Sequence, residues 1–319
     1  MTFVIAKVTD ADAGKVTLFA DTKITDENDS TSNRRTLSNP GQKVVIIDDD
    51  IVVGFAGDTP ASAVNRVAEL RGQSVDGIED ALRSLSAEMH ETIGASKSFL
   101  VVARTPAPRI TVITRGQQED RTAIQTGWIG DREAFTAFSE VFQDNSAPAE
   151  VGLEERFCTA MIGLIGWEDV QTVGGYLVRV SGSSDRPFRF MPDTAVMMPD
   201  DIDGTIVQTP GGPATLEMSL AEGADPTRHV RLPIPGTGST YSALAHYIPQ
   251  AGTAWLHTHE RPGDPAKVLR VRSLPELIEV AESEYGQHLD PTVAQRVLQG
   301  SHPAPSMLYM RPYPDSAAP

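Results

Sequence analysis

The chain has 319 residues, 40% of them hydrophobic and 22% charged, with a formal net charge of −16. That composition fits a soluble globular protein of one large domain or two modest ones, and the acidic balance disfavours nucleic acid and anionic membrane as partners. A single cysteine, Cys158, excludes an intrachain disulfide framework, and no apolar run approaches the roughly 18 residues of a membrane-spanning helix.

In chain order, Thr2–Val8 and Lys15–Asp21 are β-rich runs joined by the turn-forming stretch Asp10–Gly14. The first eight residues already read as strand. They lack the basic region and apolar core of a signal peptide, so a cytoplasmic location is expected. Lys23–Gly41 is polar and irregular, and Asn39-Pro40-Gly41 closes it as a turn. Lys43–Ile47 and Ile51–Ala56 read as strands split by Asp48-Asp49-Asp50. The period then changes. Ala63, Val64, Val67 and Leu70 fall at helical spacing, as do Ile78, Leu82, Leu85 and Met89. Phe99–Ala103, Ile110–Thr114 and Thr122–Gln125 return to strand. A third helix is predicted from near Asp131, with Ala134, Phe135, Phe138, Val141 and Phe142 on one face, and a fourth from Gly152 to Ile165. Cys158 falls inside that fourth helix and reads as a small buried hydrophobe. Gly174–Val180 and Pro187–Phe190 read as strands again. Beyond Met191, prolines and glycines become frequent. Short strands are predicted at Leu244–Ile248 and Ala254–His257, helices at Leu274–Tyr285 and Pro291–Leu298, and a frayed Pro-rich tail from His302.

This order segregates strands from helices, which argues for an α+β fold rather than a parallel βαβ one. Two sheets in the middle with helices on both outer faces would satisfy it.

Four stretches carry a resemblance. They are a start on Thr2, a second strand ending in Ala20-Asp21-Thr22, the triplet Gln42-Lys43-Val44, and Val53-Gly54-Phe55-Ala56-Gly57 leading into a helix. In register, they resemble the proteasome β-type and HslV-like peptidases, the N-terminal threonine branch of the Ntn-hydrolases. The resemblance extends to about Phe190. It implies a four-layer αββα sandwich over residues 2–190, followed by a C-terminal extension, 191–319, that has no counterpart in the family.

The implied activity is threonine-type hydrolysis of peptide or amide bonds. Thr2 would be the nucleophile after removal of Met1. A threonine hydroxyl is a weak nucleophile and needs a base beside it. On a first residue, the chain's own α-amine supplies that base, with a reference pKa of about 7.7–8.0. The resemblance assigns Lys43 to the ammonium beside the nucleophile, Asp21 to its partner, Gly57 to an oxyanion-binding N–H, and Phe55 to the substrate pocket. Where the family has a serine, this chain has Asp131, in Trp128-Ile129-Gly130-Asp131. Its alternative role is an N-cap for the third helix. The family's late polar turn corresponds to Asp169-Val170-Gln171-Thr172-Val173-Gly174-Gly175. One register, with an extra residue, sets Asp169 and Thr172 in the functional positions. The other sets Val170 and Val173 there.

The resemblance implies no cofactor and no metal. It also implies a homo-oligomeric ring, with an unfoldase as a possible partner. Two alternatives keep the fold: a catalytically weak structural or sensing subunit, which the Asp131 departure favours, and a small-molecule amidase whose extension excludes polypeptides. Elsewhere, His257-Thr258-His259-Glu260 places possible metal ligands in alternation but reads first as a polar strand end. Asp48–Asp50 reads as a solvated turn rather than a calcium site.

Overall fold

The computed structural model describes residues 3–24, 40–58, 60–93, 97–144, 151–166, 170, 172–197, 202–208, 214–220, 227–235 and 241–299. Thr2, Asp169 and the tail from His302 lie outside them. The first strands are β1 (Phe3–Asp10), β2 (Lys15–Ala20), β3 (Val44–Ile46) and β4 (Ile51–Gly57). Helices α1 (Pro60–Ala68) and α2 (Val75–Ile93) follow, then β5 (Lys97–Ala103), β6 (Arg109–Thr114), β7 (Gln117–Asp120) and β8 (Thr126–Gly130). Next come α3 (Arg132–Asp144), α4 (Leu153–Gly166), β9 (Val178–Ser183) and β10 (Arg186–Phe190). The remainder comprises β11 (Asp193–Met197), β12 (Ile202–Gln208), β13 (Ala214–Leu220), β14 (Thr227–Pro235), β15 (Tyr241–Ile248), β16 (Thr253–Leu256) and β17 (Lys267–Arg270). Helices α5 (Leu274–Tyr285) and α6 (Pro291–Leu298) complete it.

Among the described residues the fold is α+β, with three five-stranded antiparallel sheets and a two-stranded one. Their orders are β10-β9-β2-β1-β8, β3-β4-β5-β6-β7, β11-β14-β15-β16-β17 and β12-β13.

Alternation along the strands decides what each sheet face buries. Val4, Ala6, Leu18 and Ala20 of the first sheet share a core with Val52, Ala56, Leu100 and Val102 of the second. The opposite residues of the first sheet, Phe3, Ile5 and Phe19, pack on Phe138, Phe157, Cys158 and Met161 of α3 and α4. Those of the second, Val53, Phe55, Phe99 and Val101, pack on Val64, Val67, Ile78 and Leu82 of α1 and α2. Gly54 lets the two sheets approach, since a Cβ there would lie 2.7 Å from Val4 Cγ1. The third sheet carries its own core: Val230, Leu232, Ala245 and Leu256 face Leu277, Ala281, Ala294 and Val297 of α5 and α6. Leu244, on the reverse face of β15, joins the core between the first two sheets.

Two expectations are corrected. Thr122–Gln125 is not a strand. Thr122–Ile124 forms a 3₁₀ turn, closed by Gln125 at φ 58° in the left-handed region, and the ladders lie on either side of it. Residues 174–177 are not strand either, because they form a turn whose backbone bonds to residues 21–23. No helix among the described residues is long and apolar enough to cross a membrane.

Candidate active site

Strand β2 ends at Ala20, and the next residue, Asp21, turns its carboxylate into the interior. Asp21 is 0% exposed and Lys43, just before β3, is 4% exposed. The Lys43 Nζ donates to both Asp21 oxygens at 3.0 Å. Two backbone N–H groups also bond the carboxylate: Phe3 donates to Oδ1 at 3.1 Å, and Lys23 donates to Oδ2 at 3.1 Å. A longer bond arrives from Gly174, whose N–H lies 3.3 Å from Oδ2. This degree of satisfaction is what a buried carboxylate requires. Burial pulls the Lys43 ammonium below the ordinary lysine range. Asp21 opposes that shift by charge and hydrogen bond, and the nearby Lys23 charge adds to it.

Phe3, the first residue of β1, is therefore tied to the ion pair. Phe3 stands opposite Gly130 in the β1–β8 ladder, so Asp131 follows directly beyond the ladder's end. Asp131 makes two hydrogen bonds with its two oxygens. Oδ1 accepts the Glu133 N–H at 2.8 Å, while the Asp131 carbonyl accepts the Phe135 N–H, which together cap α3. Oδ2 accepts the Thr172 hydroxyl at 2.6 Å. The register with one extra residue is thus the one whose Thr172 meets a polar partner. Val170 and Val173 are buried in the apolar core under α3 and α4. Phe3, Asp21, Lys43, Asp131, Thr172 and Gly174 are linked at one end of the two facing sheets.

Gly57 closes β4 with φ at 137°, a backbone setting that favours glycine. It pairs with Lys97, a buried lysine held below its ordinary range by burial, with Asp58 and Glu88 opposing. The Phe55 ring is buried and packs on Phe99 with centroids 5.7 Å apart, on the helix-facing side of the second sheet.

Several residues at this end carried no individual role in the sequence reading. Thr22 is buried; its Oγ1 accepts the Tyr176 N–H at 2.7 Å, and its own N–H donates to the Gly174 carbonyl at 3.3 Å. Gly175 stands at φ 74°, and a Cβ there would fall 2.5 Å from Thr22 Oγ1. The Tyr176 ring stacks on His246 of β15, and His246 meets His257 edge-on at 5.7 Å. Thr22 sat inside the quoted Ala20-Asp21-Thr22 stretch. Tyr176, His246 and His257 are brought together only by tertiary packing.

Among the described residues no three His, Cys, Asp or Glu side chains converge as metal ligands. His259 pairs instead with Glu260 at 3.0 Å. The Asp48–Asp50 turn is closed by Asp50 N–H on Asp48 at 2.8 Å, and Arg104 pairs with Asp50 at 2.7 Å. No family model matches the chain, and no curated protein matches it significantly.

Proposed function

We propose that the chain is a threonine-type N-terminal nucleophile hydrolase cleaving peptide or amide bonds, with Thr2 as the nucleophile after loss of Met1. One observation carries this reading. The Phe3 N–H and the Lys43 ammonium share a single buried carboxylate, Asp21, and Thr2 is covalently one residue from that hydrogen bond. The three successive apolar cores over residues 3–190 support a four-layer αββα sandwich with the extension docked beside it. The ring assembly that the resemblance implies remains part of the same proposal.

In this mechanism the α-amine of Thr2 takes the proton from Oγ as Oγ adds to the substrate carbonyl carbon. The charge that develops on the carbonyl oxygen is met by the Gly57 N–H. Collapse breaks the carbon–nitrogen bond, and the amine's proton leaves with the amine product. Water then adds to the resulting ester and gives it up as a carboxylic acid, regenerating the Thr2 hydroxyl. The Lys43 ammonium lowers the amine's proton affinity and stabilises charge building on Oγ, and Asp21 holds it in place.

A second reading, a small-molecule amidase, is favoured by β15. Its His246 packs on the turn that supports Asp21, so the extension crowds this end of the sheets. Turnover of casein and of small amides by the wild type and by Thr2→Ala tests both. Wild-type hydrolysis lost in Thr2→Ala supports the nucleophile. Unchanged hydrolysis in Thr2→Ala removes it. Cleavage confined to small amides selects the amidase.

A further inference from the structure

The 174–176 turn is fastened to residues 21–23 by four backbone-involving bonds. The Gly174 carbonyl accepts the N–H groups of Thr22 and Lys23, the Gly174 N–H reaches Asp21, and the Tyr176 N–H reaches Thr22 Oγ1. On its other side the turn ends in the Tyr176 ring. That ring is buried and lies 5.2 Å from the His246 imidazole, at an interplanar angle of 26°. His246 sits in the middle of β15, between Arg231 of β14 and Trp255 of β16 in register. The strand is anchored two residues earlier, where Leu244 enters the core between the first two sheets. The Leu244 carbonyl also accepts the His257 N–H at 3.1 Å, which sets the His257 ring edge against His246.

We propose that His246 is a positioning residue for the active site, acting through the Tyr176 ring to hold the Gly174 N–H on Asp21. The inference rests on the Thr2 reading above. Its physical basis is the length of the Gly174–Asp21 bond. At 3.3 Å it lies near the limit for an N–H donor, and an outward shift of about 0.5 Å would abolish it. Gly175 carries no side chain to resist such a shift, so beyond the turn's own bonds to residues 21–23 the added restraint comes from the buried Tyr176 ring against His246. Losing that donor removes one of the bonds that fix the Asp21 carboxylate in place, and lets it shift together with the Lys43 ammonium it holds. Lys43 then no longer depresses the Thr2 amine to the same extent, and misplacement on this scale lowers rates by one to two orders of magnitude.

Hydrogen exchange on the wild-type chain tests the mechanical half without any substitution. The Gly174 and Tyr176 amides should exchange in the same slow class as those of β15, and fast exchange at both beside a protected β15 overturns the proposal. The functional half is read from inactivation by a peptide epoxyketone as a function of pH. His246→Ala and Tyr176→Leu approach the stack from opposite sides. Each should slow maximal inactivation about tenfold or more and move the lower limb of the pH profile toward alkali, with the reagent's half-saturating concentration unchanged. His246→Phe, which keeps a flat ring, should restore both. A folded alanine or leucine variant with wild-type rate and limb overturns the proposal, as does a loss that His246→Phe fails to restore. An unmodified wild type refutes the Thr2 reading itself, and the inference falls with it.

Discussion

At the scale of single residues, the Asp21–Lys43 pair combines two opposing demands. Burial weakens the lysine's hold on its proton, and a carboxylate at 3.0 Å offsets only part of that loss. A buried pair broken at one partner leaves an uncompensated charge, a loss of about 3–5 kcal/mol. Lys43→Ala therefore carries a double expectation: lower thermal stability and lost hydrolysis, both measurable on one preparation. Asp21→Asn should lose less activity, because the ammonium remains and only its restraint goes. Lys43→Arg should not rescue, since a forked guanidinium does not fit a compact ammonium's place. Near-wild-type rates in Lys43→Ala would leave Lys43 as a structural partner of Asp21 alone.

At the scale of elements, α3 starts where β8 ends, and Asp131 serves both. As the cap it stabilises α3 by about 0.5–2 kcal/mol over alanine, and serine replaces it well. As a charge beside the proposed amine it would raise that amine's pKa, which serine would not. Asp131→Ser should accordingly keep the melting temperature and move the lower limb of the pH–rate profile toward acid. A limb that stays in place, with Asp131→Ala only melting earlier, would confine Asp131 to capping and to its bond with Thr172. Elements with strong end signals were readable from sequence to the residue. Helix α5 has Ser273 accepting from Glu276 N–H and Gly286 closing it in the left-handed region, and α6 has Asp290 ahead of Pro291. Where signals conflict, the reading failed. The β-branched Thr122 and Ile124 suggested a strand, while the neighbouring β7 is polar and wholly exposed at a sheet edge. Strand β14 was hidden by Pro233 and Pro235, which sit within its ladder to β15. The Asp21–Lys43 contact was anticipated only through the family resemblance of the stretches around it. The Tyr176–His246–His257 contacts were not, since they join residues far apart in sequence.

At the scale of the whole molecule, the C-terminal sheet is coupled to the first two by a face that is polar as well as apolar. His257 is buried, and neither ring nitrogen has a hydrogen-bond partner among the described residues. Burial lowers its pKa to about 4. Its surroundings include His246, and Arg231 and Tyr176 lie on the same side of the sheet. The unfolded chain binds the proton with a pKa near 6.5, so this depressed value makes the folded state the weaker proton binder. The stabilisation is complete above the unfolded value and is lost as pH falls from 6.5 toward 4, by about 3 kcal/mol in all. His257→Leu should therefore gain on the wild type by about that amount between pH 7 and pH 4 in urea unfolding. An unchanged difference across that range would mean that His257 is neutral-state silent in folding. The central claim is nucleophilic Thr2 at the head of this assembly, and intact-mass measurement after treatment with a threonine-directed epoxyketone tests it most directly. The expected result is a chain lighter by Met1 and heavier by one whole reagent, with the adduct absent from Thr2→Ala. A chain that has lost Met1 and still takes up no reagent, or an adduct that persists in Thr2→Ala, would contradict it.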